Sequence, residues 1–252
     1  MKGITSTEEI LTGEGETELP DHEPEDGYFG CSDSRLRIEE VMLQERVEDE
    51  LKHLIESGIA PDEQTRERIE EEQREELKDV QVFIMRNTGA VALKDDRNTQ
   101  VWLEYFLIVL PYKDNKPKKI YLSGHTHCGM ARTLLDYGDD PKKILLETPA
   151  IASLVKDLGE LRTRVLERAK ADGLDIETDR ETILRRMEMA LVHLGVENLL
   201  GYKVVKDAMA NSKLEVYGQI LDTEKKRIAY RKTAGEILGT EKANGGVTTR
   251  FR

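Results

Sequence analysis

Short segments rich in β-forming residues alternate along this chain with segments of helical periodicity. Three strands are predicted at 27–30, 80–85 and 119–123, with helical patterns between and after them. Parallel neighbours in a sheet need a long connection, usually a helix, so this order predicts a parallel sheet with helical crossovers. Two further segments, 214–221 and 227–231, alternate like strands on either side of a turn. The chain is therefore predicted to be an α/β protein.

The length of 252 residues suits one domain, and we expect a single domain over 1–252. Three segments are predicted to lie outside the core: a polar arm at 1–26, a charged helical insertion at 44–79 and a tail at 232–252. The second half of the insertion consists mainly of charged residues, with Ile69 and Leu77 as its large apolar side chains. Such a segment can form a solvated helix, but it cannot build a core.

The balance of charge excludes some classes of partner. The formal net charge is −12, whereas nucleic-acid binding needs a basic surface, so no nucleic-acid partner is expected. The longest apolar run, 106–111, is too short to span a membrane, and residues 1–15 lack the basic and apolar regions of a secretory signal. Because the chain has only two cysteines, it cannot be a disulfide scaffold. We therefore expect a cytoplasmic protein with no membrane partner.

Polar motifs directly follow three of the predicted strands. They begin at Cys31, Arg86 and His125. In an open α/β sheet, binding sites form at the carboxyl ends of the strands. The three motifs are therefore predicted to meet in one cleft.

Two of these motifs contain residues that can bind a metal. Cys31, His125 and Cys128 offer two thiolates and one imidazole, a set that suits tetrahedral zinc and leaves a fourth position for water, as in catalytic sites. Two alternatives are that both cysteines are small buried hydrophobic residues or that they form a redox pair. If the chain is extended after His125, His127 could be a fourth ligand and close the site into a structural one.

The first motif also contains a carboxylate and a guanidinium. Asp33 could accept a hydrogen bond from a zinc-bound water and orient it, and Arg35 could hold Asp33 by a bidentate bond so that this carboxylate does not bind the metal itself. The alternative is a surface ion pair without a function.

At these motifs the sequence resembles the β-class carbonic anhydrases. The resemblance covers about 28–38 and 80–231. It is carried by Cys31-Ser32-Asp33-Ser34-Arg35, Arg86-Asn87-Thr88-Gly89-Ala90 and Gly124-His125-Thr126-His127-Cys128-Gly129, with further agreement at 103–105, 197–202 and 214–218. The spacing between Arg35 and Arg86 is longer than the family pattern, and the insertion at 44–79 accounts for it.

The resemblance implies a zinc enzyme that interconverts carbon dioxide and bicarbonate. It implies an α/β fold with a four-stranded parallel sheet and a fifth, antiparallel edge strand, assembled into homodimers or multiples of dimers. The residues expected to act are zinc ligands Cys31, His125 and Cys128, the catalytic pair Asp33 and Arg35, and substrate-binding Gly89 and Tyr105.

Two other functions remain open at the level of sequence. The same site could hydrolyse carbonyl sulfide or carbon disulfide, because that choice depends on the shape of the pocket. Alternatively, the chain could be a non-catalytic, zinc-stabilised assembly protein that uses 44–79 as its binding surface.

Overall fold

A computed structural model describes residues 26–31, 38–77, 82–87, 91–112, 116–137, 140 and 148–239. Five strands form one sheet in the order β2-β1-β3-β4-β5. The strands are β1 (Asp26–Cys31), β2 (Val82–Asn87), β3 (Lys118–His125), β4 (Leu214–Asp222) and β5 (Arg227–Thr233). The first four strands of this order are parallel, and β5 is antiparallel to β4. The predicted fold class is confirmed.

Helices connect and cover the strands. They are α1 (Ile38–Glu56), α2 (Glu63–Glu76), α3 (Arg97–Glu104), α4 (Gly129–Tyr137), α5 (Pro149–Asp157), α6 (Gly159–Ala171), α7 (Arg180–Leu199), α8 (Lys203–Ala210) and α9 (Ala234–Ile237). A π-helix, Tyr105–Val109, continues α3. Among the described helices, none is long and apolar enough to cross a membrane.

The two faces of the sheet carry different side chains. On one face α7 packs against β3 and β4, and a Cβ atom at Gly124 would lie only 2.7 Å from Val192 Cγ2, so glycine allows this close approach. On the other face Tyr28, Tyr121 and Tyr217 of three adjacent strands stack in a row. The core therefore lies between the sheet and α7, and a more polar layer lies opposite.

Helices α1 and α2 occupy most of the predicted insertion at 44–79. They pack against each other around a small apolar cluster of Leu43, Val47, Leu51 and Ile69. Ile69 is the buried residue of α2, while the rest of that helix is mainly charged. The second helix is thus mainly solvated, and it is attached to α1 by Ile69 and by an ion pair between Arg66 and Glu48.

The division of the chain into arm, insertion and tail stays a prediction, because 1–25 and 240–252 lie outside the described residues. The first residues of the predicted tail do have regular structure. Residues 232–233 complete β5, and the next four form α9, which a capping box of Thr233 and Glu236 begins.

Candidate metal centre

The ends of two neighbouring strands bring the predicted metal ligands together. Cys31 is the last residue of β1, His125 is the last residue of β3, and Cys128 stands just before α4. Because β1 and β3 are adjacent and parallel, their carboxyl ends lie side by side. One ligand atom of each of the three residues lies within 4.8 Å of the others, and all three residues are buried. Among the described residues, only these three belong to the group.

The imidazole of His125 is oriented by the backbone carbonyl group of the next residue. Its Nδ1 lies 2.9 Å from the carbonyl oxygen of Thr126. A carbonyl oxygen only accepts, so Nδ1 must carry the proton and Nε2 must present its lone pair. This is the arrangement by which proteins fix the tautomer of a metal-binding histidine.

The two thiols lie next to each other in a buried place. Two effects raise the pKa of the Cys128 thiol well above its usual range: first its hydrogen bond with the Cys31 thiol, and then burial. The backbone N–H groups of Ala131 and Met130, at the start of α4, act in the opposite direction because they favour the thiolate. Two thiolates so close together need a cation between them, and a divalent metal supplies that charge. The donor set therefore fits zinc.

Backbone conformation turns His127 away from this group. Its φ of 59° lies in the left-handed region, so the segment is not extended and residues 125 and 127 do not point to the same side. The ring lies against charged side chains instead: its Nε2 is 3.1 Å from Arg185 Nη2 and 3.1 Å from Glu224 Oε1. His127 is not a member of the metal group. The alternative in which His127 is a fourth metal ligand is therefore not supported.

A buried carboxylate beside Cys128 is absent from the residues predicted from the sequence. The backbone N–H of Cys128 donates to Glu188 Oε1 at 3.0 Å, and Arg185 Nη1 donates to Glu188 Oε2 at 3.0 Å. The sequence signal was a glutamate among the apolar positions of α7, where charged residues rarely occur without a partner.

The structure does not test several of the predicted site residues. Asp33, Arg35 and Gly89 lie outside the described residues. Tyr105 is the first residue of the π-helix, and 47% of its surface is exposed. Their catalytic and substrate-binding roles stay predictions.

A family model described as carbonic anhydrase matches residues 67–228, which is more than half of the chain. The chain belongs to the carbonic anhydrase family. The match contains His125 and Cys128, whereas Cys31 precedes it and joins the site only through the fold. The predicted resemblance and the prediction of a carbonic anhydrase are thereby confirmed.

Solved structures of β-carbonic anhydrases share the fold of this family member. The β-carbonic anhydrase CcaA is 18% identical, with 82% of this chain and 79% of that one covered and a TM-score of 0.57. A tetrameric enzyme from Sordaria macrospora is 22% identical (90% and 89% covered, TM-score 0.56). The Coccomyxa enzyme in complex with acetazolamide is 21% identical (92% and 84% covered, TM-score 0.57). A search of curated protein sequences finds no match to the chain.

Proposed function

We propose that this carbonic anhydrase family member binds one zinc ion through Cys31, His125 Nε2 and Cys128 and catalyses the reversible hydration of carbon dioxide to bicarbonate and a proton. The observation that carries the proposal is the buried group of two thiols and one imidazole, all within 4.8 Å of one another. Two cysteines and one histidine are a known ligand set of catalytic zinc, which keeps its fourth position open.

Each side chain of the group contributes to charge and rigidity. Strand ends hold Cys31 and His125, and the start of α4 holds Cys128, so the ligands need little reorganisation. The charges of the two thiolates balance those of a divalent cation, which makes the buried site neutral. When bound, zinc lowers the pKa of a coordinated water to about 7 and so supplies a nucleophile for carbon dioxide at neutral pH.

Asp33 and Arg35 are proposed to control the fourth position. The Asp33 carboxylate accepts a hydrogen bond from the attacking water and so directs its lone pair at the substrate. Arg35 holds that carboxylate away from the ligand position. The support is the spacing Cys31-x-Asp33-x-Arg35 in a chain of this family.

The substrate decides between this proposal and its enzymatic alternative. Carbonyl sulfide and carbon disulfide are linear molecules like carbon dioxide, and the same nucleophile could attack them. Parallel stopped-flow assays of carbon dioxide hydration and of carbonyl sulfide hydrolysis on one zinc-quantified preparation would separate the two reactions. We expect carbon dioxide to be the faster substrate. A zinc-replete protein without either activity would favour the non-catalytic assembly role and overturn the proposal.

Acetazolamide provides an independent check of the site. The Coccomyxa relative was solved in complex with this compound. We expect acetazolamide to inhibit carbon dioxide hydration by this chain. We also expect its binding to require zinc, which calorimetry on the zinc-loaded and zinc-free protein would measure.

We further propose that the chain acts in the cytoplasm as a homodimer or a multiple of dimers, with carbon dioxide and bicarbonate as its small-molecule partners. The tetrameric Sordaria macrospora relative supports an oligomer, and two buried cysteines without a disulfide support a reducing compartment. Light scattering coupled to size-exclusion chromatography and cell fractionation would test these two points.

A further inference from the structure

A carboxylate lies buried directly behind the metal group. The side chain of Glu188, on the inward face of α7, is 1% exposed, and its Oε1 accepts the backbone N–H of Cys128 at 3.0 Å. This contact joins α7 to the loop between β3 and α4 over a separation of sixty residues. It acts on the backbone that carries a metal ligand, and it does not use the ligand's sulfur.

Burying this charge near two thiolates is unfavourable unless other groups compensate it. Arg185, one turn earlier on α7, supplies that compensation: its Nη1 lies 3.0 Å from Glu188 Oε2. The other end of the guanidinium contacts His127 Nε2 at 3.1 Å and Glu181 Oε1 at 3.1 Å. A zinc ion, two thiolates, Glu188 and Arg185 together carry no net charge.

The loop around Cys128 needs such a support because its backbone is unusual. His127 has a left-handed φ of 59°, a conformation that is unfavourable for a residue with a Cβ atom. Cys128 itself precedes α4, and its carbonyl oxygen accepts the N–H of Arg132. The N–H of Cys128 has no acceptor within that helix, so Glu188 determines how the peptide between His127 and Cys128 is oriented. That orientation sets the direction of the Cys128 side chain.

We propose that Glu188 is a positioning residue of the metal centre, which holds the Cys128 backbone so that its thiolate points at the zinc, and that Arg185 holds Glu188 in place. The proposal rests on the zinc ligands of the proposed function. Groups that orient metal ligands from behind typically change metal affinity about 10- to 100-fold when they are removed.

Three variants test this role: Glu188→Ala, Glu188→Gln and, as a matched control, Glu181→Gln. Glu181 lies on the same helix and also pairs with Arg185, but it is exposed. Zinc affinity is measured by competition with a chromogenic chelator, and the geometry of the site by the thiolate and d–d absorption bands of the cobalt-substituted protein. We expect Glu188→Ala to bind zinc about 10- to 100-fold more weakly and to shift the cobalt bands.

Glu188→Gln should recover most of the affinity, because its amide oxygen can still accept the Cys128 N–H, and Glu181→Gln should behave like the wild type. Circular dichroism of the metal-free proteins controls for folding. A folded Glu188→Ala with wild-type affinity and cobalt bands would overturn the proposal. Should Glu188→Ala not fold, Arg185→Met decides, because it removes the group that holds Glu188 in place. Weaker zinc binding with shifted cobalt bands then supports the role, and wild-type affinity and bands refute it. These readouts need no turnover, so a wild type that binds zinc but does not hydrate carbon dioxide refutes only the proposed function.

Discussion

Cys128 is the proposed zinc ligand whose replacement should separate metal binding from folding most clearly. Cys128→Ser replaces a thiolate by a hydroxyl, which is a much weaker zinc ligand, while the side chain keeps nearly the same size. We expect loss of most of the zinc and of carbon dioxide hydration, with the sheet intact. Metal analysis by mass spectrometry and circular dichroism would measure both effects.

The neighbouring residue provides the control. His127→Ala should keep one zinc per chain, because its ring lies against Arg185 and Glu224 and not in the metal group. Full zinc in Cys128→Ser, or its loss in His127→Ala, would contradict the ligand assignment.

Arg35 should affect activity without affecting zinc content. Without its guanidinium, Asp33 gains freedom, and a carboxylate oxygen beside an open zinc position can take that position. Arg35→Ala should therefore be inactive and zinc-replete, with Asp33 as the fourth ligand in a crystal structure. Asp33→Asn should also keep zinc and lose activity, because an amide is not an anionic acceptor. Near-normal activity in Arg35→Ala would support the alternative that Asp33 and Arg35 form a surface ion pair without a function. Such a pair contributes only about 0–1 kcal/mol to stability.

The grouping of Cys31, His125 and Cys128 could be predicted from sequence, whereas the contacts that support it could not. Cys31 and His125 were visible because each follows an apolar strand, and position after a strand is a local property. In the sequence Glu188 is one acidic residue on a helix, and its role depends on which loop α7 packs against. The left-handed backbone at His127 could not be predicted either, because no local feature of the sequence requires it.

At the scale of elements, the helical pattern predicted between the second and third strands is in fact two kinds of helix. The chain changes from α3 to the π-helix, where Leu110 N–H donates to Tyr105 O at 3.0 Å. Pro111 has no N–H to continue the pattern. Instead, the buried Lys118 Nζ donates to the carbonyl oxygens of Phe106 and Leu110, the latter at 2.9 Å. A long-range donor therefore completes the end of this helix, which periodicity alone could not reveal.

Removing that donor should loosen the π-helix locally. Lys118→Met keeps the length and apolar stem of the side chain but takes the donor away from the two carbonyl groups. We expect faster amide hydrogen exchange over 105–110, most clearly at Leu110. Lys119→Met is the matched control, since Lys119 lies next to it on β3 and makes neither contact. Equal exchange in the two variants would show that Lys118 does not stabilise this helix.

One apolar side chain should control how α2 attaches to α1. Ile69 is 2% exposed and packs with Leu43, Val47 and Leu51. Ile69→Ala should lower the free energy of opening α2 by about 2–4 kcal/mol. Hydrogen exchange over 63–76 would measure this change, with zinc content unaltered because the metal group lies elsewhere. The exposed Glu71→Ala serves as control, and loss of zinc in Ile69→Ala would show that the two helices support the site.

For the whole molecule, the order of elements predicted the sheet correctly because strands and helices alternate with clear periods. Sequence could not show how the polar face of the sheet is covered. There α1 places Glu45, 4% exposed, next to Tyr28 of β1, whose hydroxyl donates to Glu45 Oε2 at 2.5 Å. Arg231 of β5 also approaches, but its Nη1 is 3.8 Å from Glu45 Oε1 and it also pairs with Asp49. Helix α1 and the strands β1 and β5 thus meet at one carboxyl group.

This buried carboxyl should make the stability of the whole fold depend on pH. Burial, which outweighs Tyr28 and Arg231, raises the pKa of Glu45 from 4.5 to about 8, and the nearby Asp26 acts in the same direction. Between these two values the folded state keeps a proton that the unfolded state has released. The stabilisation is therefore complete below pH 4.5 and is lost as pH rises through 8.

Glu45→Gln removes this titration and keeps the shape and a hydrogen-bonding group. Each unit of pKa shift corresponds to about 1.4 kcal/mol. The free energy of unfolding of the variant, relative to that of the wild type, should therefore increase by a few kcal/mol as pH rises from 5 to 8.5. Urea denaturation of both proteins across that range measures the gain. Glu56→Gln on the exposed end of α1 is the control and should follow the wild type. If Glu45→Gln instead stays parallel to the wild type at every pH, Glu45 is ionised in the folded state, and Arg231 must then approach closely enough to neutralise it.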